Sequence, residues 1–185
     1  MNIKPLEIPD VLHIEPRIFS DDRGYFFESY NRDSYLAAGL TATFVQDNVS
    51  LSKRGVLRGL HFQNPRPQGK LVSALTGEVF DVAVDIRTGS PTFGKWVGAI
   101  LSAEKGNQLY IPEGFAHGFC VVSESAIIHY KCTDFYVPEA DRGIRWDDPD
   151  FAVVWPVEVP ILSAKDQTAP LYSQLDLNAL PSFPS

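Results

Sequence analysis

Apolar and polar residues alternate over short stretches along most of the chain, the two-residue repeat of a half-buried strand. In EVFDVAVDIR (78–87), Phe80, Val82, Val84 and Ile86 share one face, and Asp81 and Asp85 share the other. Similar runs cover 43–49, 56–62, 70–75, 95–101, 107–111 and 125–135. Turn-forming clusters separate them: DDRG at 21–24, TG at 76–77, RTGSPTFG at 87–94 and PEG at 112–114. Many short strands at this spacing predict a mainly β fold, an antiparallel sandwich or barrel. Helix is scarce. NRDSYLAAG (31–39) offers a capping asparagine or aspartate, helix formers and a terminal glycine. A second short helix is expected to start at Ser163 and to be limited by Pro170. No repeat, low-complexity tract or linker interrupts the chain, so 1–185 reads as a single domain, with PSFPS (181–185) expected to fray.

Composition narrows the function classes. Of 185 residues, 44% are hydrophobic, enough for a substantial core. A net charge of -7 argues against a nucleic-acid or membrane-surface binder, which needs a basic footprint. No apolar run approaches the length of a membrane span, and the N-terminal stretch lacks the continuous apolar segment of a leader, so a cytoplasmic protein is expected. Cys120 and Cys132 lie in apolar, strand-like runs without CxxC spacing and are expected to be buried, reduced thiols.

Candidate chemistry concentrates around two histidines. RGVLRGLHFQ (54–63) reads as a strand, yet Arg58 and His61, with Lys70 nearby, are too polar for an ordinary core. Three positions apart, Arg58 and His61 face opposite ways in an ideal strand, unless Gly55 or Gly59 permits a bulge or bend. In GNQLYIPEGFAHGF (106–119), Gly106, Pro112, Gly114 and His117 keep a G-x5-P-x-G-x2-H spacing that resembles the second motif of the cupins. That resemblance implies a cupin-type jelly-roll barrel with His117 directed inward. Many cupins add two histidines and a carboxylate from a first motif to bind a metal. Here only His61 stands in that motif, flanked two residues away by Gly59 and Gln63. His129 is a poor third ligand, because its neighbour Tyr130 takes the opposite strand face. No metal is therefore expected, which leaves the histidines free for proton transfer. His13 and His129 read as ordinary core or surface residues.

Further motifs resemble a specific family. RGLHFQ (58–63), QGKLV (68–72), GEVFDVAVD (77–85), IPEGFAHGF (111–119), FSDDRGYFFE (19–28), FVQDN (44–48), SPTFG (90–94) and LSAKD (162–166) together look like the dTDP-4-dehydrorhamnose 3,5-epimerases, from about Ile8 to Pro170. The resemblance implies a homodimeric, cofactor-free and metal-free jelly roll. It would invert C3 and C5 of dTDP-4-dehydro-6-deoxy-D-glucose to give dTDP-4-dehydro-L-rhamnose. Both carbons are alpha to the C4 ketone, so inversion needs a base on one face, an acid on the other and a cation near the oxygen. An imidazole ordinarily titrates near ~6.5 and suits the base; a phenol near ~10 stays protonated at neutral pH and suits the acid.

By resemblance the base is His61, oriented by Asp166; the acid is Tyr130; Lys70 meets the enolate oxygen. Arg23 and Arg58 match diphosphate-binding positions, and Phe19 and Tyr136 match aromatic positions that sandwich the thymine. Glu28, Gln46, Asp47, Asn48, His117 and Lys165 match further substrate-binding positions. The N-terminal segment, including Arg23, is implied to complete the neighbouring subunit's site. Read without the resemblance, Asp166 is a helix-terminus charge, Tyr130 a core aromatic and Lys70 a strand-end lysine. Asp141 stands where the family usually has glutamate, one methylene longer, which leaves Glu139 as an alternative contact. Two other readings remain: a single-site 3- or 5-epimerase or ketoisomerase on a related nucleotide sugar, and a non-catalytic sugar-binding cupin. A metal-dependent oxygenase is a distant fourth.

Overall fold

The computed structural model describes residues 1–183. Thirteen strands run through the described residues: β1 (Asn2–Pro5), β2 (Leu12–Glu15), β3 (Phe19–Asp21), β4 (Gly24–Phe26), β5 (Gln46–Lys53), β6 (Leu57–Gln63), β7 (Lys70–Thr76), β8 (Glu78–Asp85), β9 (Trp96–Ser102), β10 (Gln108–Ile111), β11 (Phe115–Val121), β12 (Ser125–Cys132) and β13 (Asp141–Gly143). They form a six-stranded sheet, β1-β2-β10-β7-β12-β5, and a five-stranded sheet, β13-β6-β11-β8-β9, with β3 and β4 as a separate hairpin. Every pairing between these strands is antiparallel. This is the mainly β, antiparallel fold that the alternation predicts, and the jelly roll that the cupin resemblance implies.

The main core fills the space between the two sheets. Val72 and Ala74 of β7, Leu109 and Ile111 of β10, and Ala126 and Ile128 of β12 meet Val79 and Ala83 of β8 and Phe119 and Val121 of β11. A second core lies on the outer face of the five-stranded sheet. There Val82, Val84 and Ile86 pack with Leu60, Phe62, Phe151 and Leu180, under Trp155 and Tyr172 of the C-terminal segment. Strand β8 is thus buried on both faces, and its carboxylate-bearing face, with Val79 and Ala83, is the one inside the barrel. The apolar face of the sequence pattern is the outer one.

Both expected helices form. Helix α1 (Arg32–Ala37) is capped by Asn31, whose side chain accepts from the backbone N–H groups of Asp33 and Ser34. Helix α2 (Ala164–Gln167) is capped by Ser163 and ends before Pro170. The C-terminal tail differs from expectation. Residues 181–183 do not fray: Thr88 donates to the Pro181 carbonyl at 2.8 Å and accepts from the Phe183 N–H at 3.0 Å. The Phe183 ring lies 4.8 Å from the Arg87 guanidinium, so the tail is held by a cation–π contact as well as by backbone bonds. Pro184 and Ser185 lie outside the described residues. Cys120 and Cys132 are both free and buried, and no helix among the described residues is long and apolar enough to cross a membrane.

Candidate active site

One end of the barrel opens into a cavity of roughly 330 Å³. Strand β5 contributes Gln46, Asn48 and Ser50, β6 contributes Arg58, His61 and Gln63, β7 contributes Lys70, β11 contributes His117 and Phe119, and β12 contributes Tyr130. Tyr136, Asp141 and Lys165 form the rim.

A bulge brings Arg58 and His61 to the same side. His117 pairs with His61 and Phe119 with Arg58, so two steps along β11 match three along β6. The extra residue breaks the parity that would separate the two side chains. Gly59 makes the bulge possible. Its φ is +132°, and a Cβ there would lie 2.5 Å from the Gly118 Cα, so no other residue fits.

His61 and Asp166 form a tight pair, with Nε2 to Oδ1 at 2.5 Å. The second carboxylate oxygen accepts from Ser163 Oγ at 2.7 Å. Burial alone would raise the Asp166 carboxyl, but the hydrogen bonds from His61 and Ser163 outweigh it and hold the group below its ordinary value. Asp166 is therefore an anionic acceptor. It keeps the His61 proton on Nε2 and leaves Nδ1 as the basic nitrogen.

Across the cavity, burial pushes the Tyr130 phenol upward, against a smaller opposing effect of Arg58, so the phenol remains a proton donor well into the alkaline range. Lys70 is only 8% exposed. Burial lowers its amine, while Cys132, Asp81 and Asp141 act in the opposite sense. His117 donates Nε2–H to Asp81 Oδ1 at 2.7 Å. At the rim, Asp141 accepts from the Tyr136 hydroxyl at 3.1 Å and pairs with Lys165. Asp141, rather than Glu139, lines the cavity. Arg58 Nε is held by Ser52 Oγ at 3.1 Å, and Gln46 anchors the Tyr136 N–H at 2.8 Å.

Five of the residues discussed from the sequence lie outside this chain's cavity. Asp47 alternates with Gln46 and Asn48 and so points from the other face of β5, where Lys131 Nζ donates to it at 2.8 and 2.9 Å. His129 shares that outer face, 3.7 Å from Asp47. Glu28 sits at the start of α1 and accepts from Asn31 Nδ2 at 3.0 Å. Phe19 and Arg23 stand on the β3–β4 hairpin, where Arg23 pairs with Asp21 at 2.6 Å. Asp81 was legible only as the polar face of β8, and Gln63, Ser50 and Phe119 carried no signal as cavity residues.

Comparison with known proteins gives concordant results. A family model described as dTDP-4-dehydrorhamnose 3,5-epimerase matches residues 5–174. The dTDP-4-dehydrorhamnose 3,5-epimerase of Pseudomonas aeruginosa is 56% identical over 178 residues, covering 95% of this chain and 98% of its own. A dTDP-4-dehydrorhamnose 3-epimerase of Streptomyces niveus is 40% identical over 186 residues, covering 99% and 90%. The crystal structure of a dTDP-6-deoxy-D-glucose-3,5-epimerase from Legionella pneumophila, in complex with dTDP-4-keto-L-rhamnose, superposes with a TM-score of 0.96 at 53% identity, covering 100% and 99%.

Proposed function

Since the chain belongs to the dTDP-4-dehydrorhamnose 3,5-epimerase family, we propose that its cavity inverts C3 and C5 of dTDP-4-dehydro-6-deoxy-D-glucose as follows. His61 Nδ1 removes the proton alpha to the C4 ketone, and the electron pair moves onto the ketone oxygen as an enolate. Lys70 donates a hydrogen bond to that oxygen. Tyr130 delivers its phenolic proton to the opposite face of the same carbon, which inverts it. Each cycle leaves an imidazolium and a phenolate, and solvent returns the proton from one to the other. The same pair then acts at the second carbon. Redox state is unchanged throughout, so the scheme uses no redox cofactor. The observation that carries the reading is the convergence of a carboxylate-held His61, a protonated Tyr130 and a buried Lys70 on one cavity.

Arg58 and the rim are suited to the nucleotide. A guanidinium binds a diphosphate in bidentate fashion, and the Tyr136 ring at the mouth offers a face for the thymine. Phe19 and Arg23 would complete the sandwich from a second copy of the chain. In support, Phe19 (52% exposed), Tyr25 (56%) and Phe26 (71%) leave the β3–β4 hairpin with an apolar surface, and Val49 and Leu51 leave another on the outer face of β5. A homodimer with shared sites and a cytoplasmic location complete the proposal.

Incubation with the 4-keto sugar nucleotide in deuterated water tests it. Deuterium is expected at both C3 and C5, and the label should be lost in His61→Ala. The 3-epimerase among the relatives gives single-site inversion its support; label at C3 alone selects that reading. Tight binding with no label selects a non-catalytic binder.

A further inference from the structure

Asp81 is a fully buried carboxylate facing the barrel interior from β8. One oxygen accepts from His117 at 2.7 Å. The other, Oδ2, has no hydrogen-bond partner among the described residues. A buried anion with half its acceptor capacity unused is costly unless its charge serves something. Lys70 presents the complementary problem. It lines the active-site cavity beside His117, the partner of Asp81, and is almost fully buried, yet the lysine ion pairs of the described residues are Lys131–Asp47 and Lys165–Asp141, and Lys70 has none.

The charged and titratable groups around Lys70 are few. Arg58, His61, His117, Tyr130 and Lys165 share the cavity but supply no anion to it at neutral pH. Burial pushes the Cys132 thiol up, which keeps it neutral. Asp141 is already engaged by Lys165 and the Tyr136 hydroxyl, and Asp166 by His61 and Ser163. Asp81 is the anion left over. We propose that Asp81 is the counter-charge of Lys70: its carboxylate keeps the buried amine an ammonium and, by accepting Nε2–H of His117, leaves His117 Nδ1 as an acceptor for a substrate hydroxyl. Asp81 is thus a positioning residue, acting through Lys70 and His117. The inference rests on the reading of Lys70 as the partner of the enolate oxygen.

Asp81→Asn keeps the shape and the acceptor for His117 and removes the charge. The Lys70 amine is titrated directly by NMR in protein carrying isotope-labelled lysine, its signal assigned with Lys70→Met. In Asp81→Asn the Lys70 pKa should fall by about one unit or more, the effect of removing a nearby opposite charge. The alkaline limb of kcat should move down with it, and Asp81→Glu should restore both. An unchanged Lys70 titration in Asp81→Asn overturns the proposal. Should Asp81→Asn fold poorly, thermal unfolding of the cycle Asp81→Asn, Lys70→Met and the double variant decides the matter. The asparagine should be better tolerated beside methionine than beside lysine, and equal cost in the two backgrounds refutes the pairing. The titration and the cycle read the pairing without using activity. A Lys70→Met variant that epimerises at the parental rate would therefore remove the role of Lys70 and leave the coupling to be judged separately.

Discussion

Replacing Asp166 with asparagine removes a charge and nearly preserves the shape. Asparagine Oδ1 can still accept from His61 Nε2, and the Ser163 hydroxyl can accept as well as donate, so both local bonds have a substitute. What is lost is the attraction between a carboxylate and the imidazolium that forms when His61 takes the substrate proton. With the bonded atoms 2.5 Å apart, the charge centres lie about 4 Å apart, where a unit pair at an effective dielectric of about 20 interacts by about 4 kcal/mol. His61 is 33% exposed on its side chain, and solvent screening halves the figure to about 2 kcal/mol. At about 1.4 kcal/mol per decade of rate, Asp166→Asn should lower kcat by about 30-fold. The assay is deuterium incorporation at C3 and C5, followed by NMR at saturating substrate, with a thermal melt of the same preparation. The loss should appear in kcat, with KM little changed, because the imidazolium exists only after proton transfer has begun. A folded Asp166→Asn enzyme with kcat within threefold of the parent, or one that loses only KM, would refute the assignment of Asp166.

Tyr130→Phe removes the acid but leaves the base. It should still exchange the substrate alpha protons with solvent, while epimerisation falls by about a hundredfold or more; equal epimerisation rates in variant and parent would remove Tyr130 from its role. Asp85 tests stability rather than catalysis: it accepts from Arg87 Nε at 2.9 Å, Ser90 Oγ at 2.6 Å and Thr92 Oγ1 at 2.6 Å. Burial opposes ionisation of Asp85, but these bonds outweigh it and hold the carboxyl below its ordinary value. A depressed carboxyl stabilises the fold above the unfolded pKa of about 3.9 and loses that contribution as pH falls through the lower folded value. Asp85→Asn should therefore cost about 3 kcal/mol at pH 7 and flatten the acid side of the melting-temperature profile below about pH 4. A variant as stable as the parent at pH 7 would remove the network from the account.

The alternation in 78–85 announced a strand correctly, and the turn clusters placed its neighbours, because period two survives wherever the two faces of a strand differ. It failed where they do not. Strand β11, FAHGFCV, is buried throughout, so its pattern is a continuous apolar run and only His117 stood out. The Arg58–His61 parity was the sharpest conflict in the sequence, and Gly59 was the correct hint to its resolution. Asp81 was visible as a polar face but not as an inward one, since which side of β8 meets the barrel depends on the C-terminal layer packing against the other. Asp166 and Lys165 have no local pattern of their own; only resemblance to a family pointed to them. Asp47 was grouped with Gln46 and Asn48 by motif, and strand geometry places it on the opposite face.

His61 and the carboxylate that orients it are separated by 105 residues of chain. Helix α2, which carries Asp166, belongs to the same stretch that roofs the outer face of the five-stranded sheet. During synthesis the barrel walls therefore leave the ribosome well before the carboxylate that bonds the imidazole. The His61–Asp166 pair is thus completed only after every strand of the barrel has been made.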